Sequence, residues 1–219
     1  MSILAPSMLS ADFKILGEEL KTIEENGATY LHYDVMDGMF VPSLSFGPAI
    51  LQSIRPASTM VHDVHLMIEE PIRYIEPFAK ASADVITVHI EACEDLDATI
   101  AKIKEFGCKV GVSVKPKTPV SALEPYLDKI DMILIMSVEP GFGGQKFIPT
   151  SLDKIAEARA MVNAKGLNID IQVDGGIYTH NVEEVLKAGA NIIVAGSAVF
   201  NGDTEANTKA MMEILNKYE

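Results

Sequence analysis

The chain has 219 residues, 48% of them hydrophobic and 22% charged, with a formal net charge of −13. That length suits one large domain, and a single α/β barrel needs roughly 200 to 250 residues. Without a Lys/Arg cluster on so acidic a chain, nucleic acid is excluded as a partner, and no apolar run approaches the ~20 residues that cross a membrane.

Short β-branched or apolar runs alternate with helical patterns along the whole sequence. Ile3–Ala5 reads as a first strand and Phe13–Asn26 as a first helix; Tyr30–Met36 and Pro48–Ile54 are the next pair. Then come Val61–Met67 with Pro71–Ala81, Val85–His89 with Leu96–Phe106, and Val110–Val114 with Val120–Leu127. Met132–Ser137 precedes Leu152–Lys165, Ile169–Val173 precedes Val182–Ala188, and Ile192–Ala195 precedes Glu205–Tyr218. Gly27, Gly107, Gly166 and Gly189 stand where helices should end in a left-handed cap. Strands that alternate with helices are parallel, and eight such units close a barrel. The Gly-x-Gly-x-x-Gly fingerprint of the rival open sheet is absent after the first strand. The expectation is a single-domain (β/α)8 (TIM) barrel over residues 1–219. Cys93 and Cys108 form neither a disulfide framework nor a metal-ligand spacing, and the N-terminus lacks the basic flank of a signal peptide. A cytoplasmic protein with reduced thiols is therefore expected.

Barrel chemistry gathers where strands end and loops begin. The unusual residues of this sequence fall there. Side chains alternate along a strand, so His32, Asp34 and Met36 share one face, as do Asp63, His65 and Met67. Strand seven ends in Asp174-Gly175-Gly176. His32, Asp34, His65 and Asp174 make a mixed nitrogen and oxygen set suited to one divalent ion, Zn2+ first, with Fe2+, Mn2+ or Co2+ as alternatives. His62 should face away from His65, His89 stands alone at the end of strand four, and His180 opens a helix; each reads as an ordinary satisfied or exposed histidine rather than a ligand. Glycine segments follow three late strands: Gly141-Phe142-Gly143-Gly144, Gly175-Gly176, and Gly196-Ser197. Such backbone approaches an anion closely and offers free N–H groups, so an acidic chain could hold a phosphate there.

The segments Ala5–Phe13, His32–Gly38, Asp63–Met67, Met136–Phe147, Val173–Ile177 and Ala195–Ala198 together resemble the ribulose-phosphate 3-epimerase family, in order and along essentially the whole chain. The resemblance implies a barrel enzyme that interconverts D-ribulose 5-phosphate and D-xylulose 5-phosphate, a reaction of the pentose phosphate pathway, in a homo-oligomer. It places metal ligands on His32, Asp34, His65 and Asp174, and the acid/base pair on Asp34 and Asp174. Substrate contacts fall on Ser7, His65, Gly141 to Gly144, Gly175, Gly176, Gly196 and Ser197, and a methionine cap on Met36, Met67 and Met136. On pattern alone those methionines read as core. Ser43 replaces the family's usual asparagine, and His62 stands where an apolar or aromatic residue is common, which leaves room for a hexulose 6-phosphate such as D-allulose 6-phosphate. A lyase or decarboxylase on the same barrel would need a strand-end lysine, and Lys115, read as an exposed loop residue, is the candidate.

Overall fold

The computed structural model describes residues 2–218; Met1 and Glu219 of the expected domain lie outside them. Eight strands form one parallel sheet: β1 (Ile3–Pro6), β2 (Tyr30–Met36), β3 (Val61–Met67), β4 (Val85–His89), β5 (Lys109–Val114), β6 (Met132–Met136), β7 (Asp170–Asp174) and β8 (Ile192–Ala195). The pairing runs β1-β8-β7-β6-β5-β4-β3-β2, and a single parallel bridge between Ser7 and His32 joins its two ends. The (β/α)8 barrel expected from the alternation is therefore the fold.

β6 and β8 are continuous apolar runs, as parallel strands covered on both faces read, whereas β2 and β3 carry His and Asp among their buried positions. β6 is Met-Ile-Leu-Ile-Met and is buried throughout. The helices are α1 (Leu16–Glu25), α2 (Pro48–Ile54), α3 (Ile75–Lys80), α4 (Leu96–Glu105), α5 (Ser151–Ala164), α6 (Val182–Ala188), α7 (Ser197–Phe200) and α8 (Thr204–Leu215). Their apolar faces meet the outward side chains of the strands, and this annulus holds Leu31, Tyr33, Val64, Ile86, Val112, Ile133 and Ile193. Asp95 and Asp203 cap α4 and α8 by accepting from Ala98 N and Ala206 N.

Three expected helices differ. Val120–Leu127 is a 3₁₀ stretch over Val120–Lys129, because Pro125 inside it lacks an N–H and cannot join an α-helical ladder. Pro71–Ala81 splits into a 3₁₀ turn, Pro71–Arg73, and α3, whose first turn accommodates Pro77. Phe13–Asn26 begins later, at Leu16. The short α7 directly after β8 was not expected.

Candidate active site

Strand register brings the chemistry together. Asp34 lies opposite His65 and Met36 opposite Met67 across β2 and β3, while Met136 lies opposite Asp174 across β6 and β7. All these side chains point into the barrel, at the C-terminal ends of their strands. His32 and His65 are fully buried, Asp34 is 4% exposed, and the Asp174 side chain, at 17%, opens toward the pocket above.

His32, Asp34, His65 and Asp174 each direct one ligand atom into a common space, all within 4.8 Å of one another. His32 Nε2 lies 3.2 Å from Asp34 Oδ1, 3.4 Å from His65 Nδ1 and 4.0 Å from Asp174 Oδ2. His65 Nδ1 lies 3.1 Å from Asp34 Oδ1 and 3.9 Å from Asp174 Oδ2. A tetrahedral ion with bonds of roughly 2.0–2.2 Å separates its ligand atoms by about 3.3–3.6 Å. The spacing fits, and this buried cluster could hold a metal ion.

The atoms turned away from that space are also held. Ser7 Oγ donates to Asp34 Oδ2 at 2.6 Å, and His32 Nδ1 meets Asp63 Oδ2 at 2.7 Å. Gln172 Nε2 donates to the same Asp63 oxygen at 2.5 Å. Such outer partners fix ring orientation and the identity of the ligating atom.

The two carboxyls titrate in opposite senses. Burial works against ionising Asp34, but the His32 and His65 imidazoles outweigh it and hold its pKa well below the ordinary range. Burial and then the Asp34 charge push Asp174 up to about 6, against the pull of the same imidazoles. Burial tends to neutralise His32, yet Asp34 and Asp63 raise its pKa well above the usual value.

A pocket opens over the cluster. Its walls contain Ser7, Asp34, Met36, Met67, Met136, Asp174 and all the glycine segments named from sequence: Gly141, Phe142, Gly143, Gly144, Gly175, Gly176, Gly196 and Ser197. His32 and His65 lie beneath it. Gly176 has φ +67°, and a Cβ there would stand 2.4 Å from the backbone nitrogen of Phe147, so only glycine lets the β7 loop rest on the β6 loop. Met36 and Met67 pack with Val41, Leu9 and Phe40, and Met136 packs with Leu134 and Val138.

Some residues depart from the sequence reading. His89 is not alone: its Nε2 lies 2.9 Å from His65 Nε2, and its Nδ1 faces Glu91. His62 does face away from His65, but it is not satisfied, since neither ring nitrogen has a partner although the residue is fully buried. His180 is exposed, as expected. Lys115 is half-buried rather than exposed; its ammonium sits 3.7 Å from the Phe40 ring centroid and it does not line the pocket. Sequence reasoning also passed over Ser10 and Tyr178, both on the pocket wall, with Tyr178 Oη 2.7 Å from Ser197 Oγ. Alternation along β4 could have flagged His89; Tyr178 follows a glycine turn and carries no periodic signal.

Comparison with solved structures matches the barrel to a 3-hexulose-6-phosphate synthase from Salmonella typhimurium (TM-score 0.72, 18% identity, 100% of both chains). It also matches KGPDC from Streptococcus mutans (TM-score 0.73, 11% identity, 100% of this chain and 99% of that one). At such identities the likeness concerns fold alone. Among sequences, the ribulose-phosphate 3-epimerase of Synechocystis sp. is 53% identical over 210 residues, covering 95% of this chain and 91% of that one. The ribulose-phosphate 3-epimerase of Bacillus subtilis is 51% identical over 212 residues, covering 96% and 97%. The ribulose-phosphate 3-epimerase family description matches residues 3–200. The chain belongs to the ribulose-phosphate 3-epimerase family.

Proposed function

We propose that this protein inverts C3 of D-ribulose 5-phosphate to give D-xylulose 5-phosphate, reversibly, with Asp34 and Asp174 as its two proton-transfer groups. The observation that carries the reading is the pairing of two inward carboxyls, on β2 and β7, whose environments drive their pKa values apart. Inverting a carbon beside a ketone requires removing its proton and returning one to the opposite face. Asp34, held ionised, suits the base, and Asp174, inclined to keep its proton, suits the acid. In reverse the roles exchange.

His32, Asp34, His65 and Asp174 would hold one divalent ion, with Zn2+ the first candidate for a nitrogen and oxygen set at this spacing and Fe2+, Mn2+ and Co2+ as alternatives. Bound there, the ion supplies Lewis-acid stabilisation of the negative charge that develops on the substrate oxygens. Met36, Met67 and Met136, all nearly buried, keep water from the face where the planar intermediate forms. Backbone N–H groups of Gly143, Gly144, Gly176 and Gly196, with the Ser197 hydroxyl, would receive the phosphate, and Ser7 holds Asp34 in place.

The pentulose reading is preferred over a hexulose 6-phosphate because the curated relatives at about half identity carry the ribulose-phosphate name. A Schiff-base lyase is disfavoured by Lys115, which points its amine at Phe40. A cytoplasmic setting is supported by two free cysteines, and no helix among the described residues is long and apolar enough to cross a membrane. A homo-oligomer would cover exposed apolar side chains such as Met39 and Leu44.

The test is turnover on D-ribulose 5-phosphate beside D-allulose 6-phosphate, together with exchange of the substrate C3 proton into solvent. Asp34→Asn and Asp174→Asn should each lose about 10²- to 10⁴-fold. Near wild-type exchange in both variants would overturn the two-base scheme.

A further inference from the structure

We propose that His89 and Glu91 are positioning residues that hold His65 in one tautomer, its Nδ1 lone pair turned to the ligand cluster, and so set how tightly the site binds a divalent ion. The inference rests on the reading of His65 as a metal ligand.

The argument is a count of hydrogens along a buried chain. His65 Nε2 and His89 Nε2 stand 2.9 Å apart, so one donates and the other accepts. His89 Nδ1 faces Glu91 Oε2 at 3.3 Å, and an ionised carboxylate only accepts. Nδ1 of His89 therefore carries its hydrogen. A neutral imidazole has one N–H, which leaves His89 Nε2 as the acceptor and makes His65 Nε2 the donor. His65 Nδ1 is then bare, and it is this atom that lies 3.1 Å from Asp34 Oδ1 and 3.4 Å from His32 Nε2. Asp34 Oδ1 would draw a hydrogen onto that same Nδ1 in the absence of an ion, so the bare state is the one the bound ion requires and the His89–Glu91 chain supports.

Glu91 is itself anchored. Its Oε1 accepts from the backbone N–H of Lys115 at 2.7 Å, which ties the loop after β4 to the end of β5. The Phe40 ring packs against His89 with centroids 4.9 Å apart, and the Lys115 ammonium sits 3.7 Å from the Phe40 ring centroid. His65 is thus supported from outside the pocket, by residues that do not line it. The two ligand histidines differ in kind: His32 rests directly on the Asp63 carboxylate, whereas His65 reaches one through a second imidazole.

The experiment measures Zn2+ affinity of chelator-stripped protein by competition with a chromophoric chelator, and reads the His65 tautomer by long-range 1H–15N NMR. His89→Leu should weaken zinc about 10- to 100-fold, the usual cost of losing an outer partner. His89→Gln, whose amide oxygen can still accept from His65 Nε2–H, should recover much of that loss, a rescue that repacking alone would not give. Glu91→Leu should weaken zinc several-fold, and zinc-loaded wild type should carry its His65 hydrogen on Nε2. Wild-type zinc affinity in His89→Leu, alongside its loss in His65→Ala, would overturn the inference and leave the ligand reading intact. Unchanged affinity in His65→Ala would instead remove the ligand reading beneath it. Should His89→Leu not fold, Glu91→Leu decides: unchanged zinc affinity overturns the proposal.

Discussion

Ser7 Oγ donates to Asp34 Oδ2 over 2.6 Å across the seam where the barrel closes, so the hydroxyl that orients the proposed base also stitches the two ends of the sheet. A hydrogen bond to a charged group contributes about 1.5–3 kcal/mol. Ser7→Ala should therefore lower kcat/KM by about 10- to 100-fold. The bond favours the ionised carboxyl, so its loss should also move the acid limb of the pH–rate profile to higher pH. Steady-state kinetics across pH check both effects.

Asp174 sets function against stability. Its folded pKa of about 6 exceeds the usual 3.8, so the folded chain binds that proton more tightly than the unfolded one. The stability it contributes is present below pH 3.8 and is lost as the pH rises through 6. Asp174→Asn should accordingly stabilise the metal-free protein at pH 7.5 by up to ~3 kcal/mol while lowering activity by about 10²- to 10⁴-fold. Thermal melts with and without Zn2+ give the check: added zinc should raise Tm in wild type far more than in the variant.

His62 invites an improvement. It is buried in the layer between β3 and the helices with both ring nitrogens unpartnered, and burial, helped by the Arg55 charge, lowers its pKa to about 4. A histidine kept neutral in the fold costs stability as the pH falls from 6.5 toward 4, because only the unfolded chain takes the proton. His62→Leu should gain about 1–3 kcal/mol at pH 7 by removing the unpaired groups. The advantage should widen at pH 4.5, which urea titrations at the two pH values would show.

Gly176→Ala should damage the proposed phosphate end without touching a titratable group. The left-handed backbone and the contact with Phe147 N impose strain of about 1–3 kcal/mol, which the β6 and β7 loops must move to relieve. KM for the sugar phosphate and the inhibition constant of inorganic phosphate should rise together, with kcat less affected.

Much of this was legible in the sequence because two periods carried it. The alternation of strand and helix gave the barrel, and the two-residue period within β2 and β3 put His32 with Asp34 and Asp63 with His65. What periodicity cannot give is register between strands. The 2.9 Å approach of His89 to His65 depends on how β4 is offset against β3, and the partnerless state of His62 depends on which helix side chains reach it. Pro125 was visible in the sequence, but only the structure shows the whole segment tightening around it.

The continuous apolar cluster lies mainly outside the strands, while the lumen near the site is a column of His, Asp, Gln, Thr and Ser above a separate small apolar floor. Folding free energy and the proposed catalytic chemistry thus draw on different side chains of the same strands, alternate positions along each strand serving one or the other. Mutational robustness follows from that division. A lumen residue can change its chemistry while the outer rind keeps the barrel folded, so selection on activity and selection on stability act on nearly disjoint sets of positions. Chains 11% and 18% identical to this one share its fold.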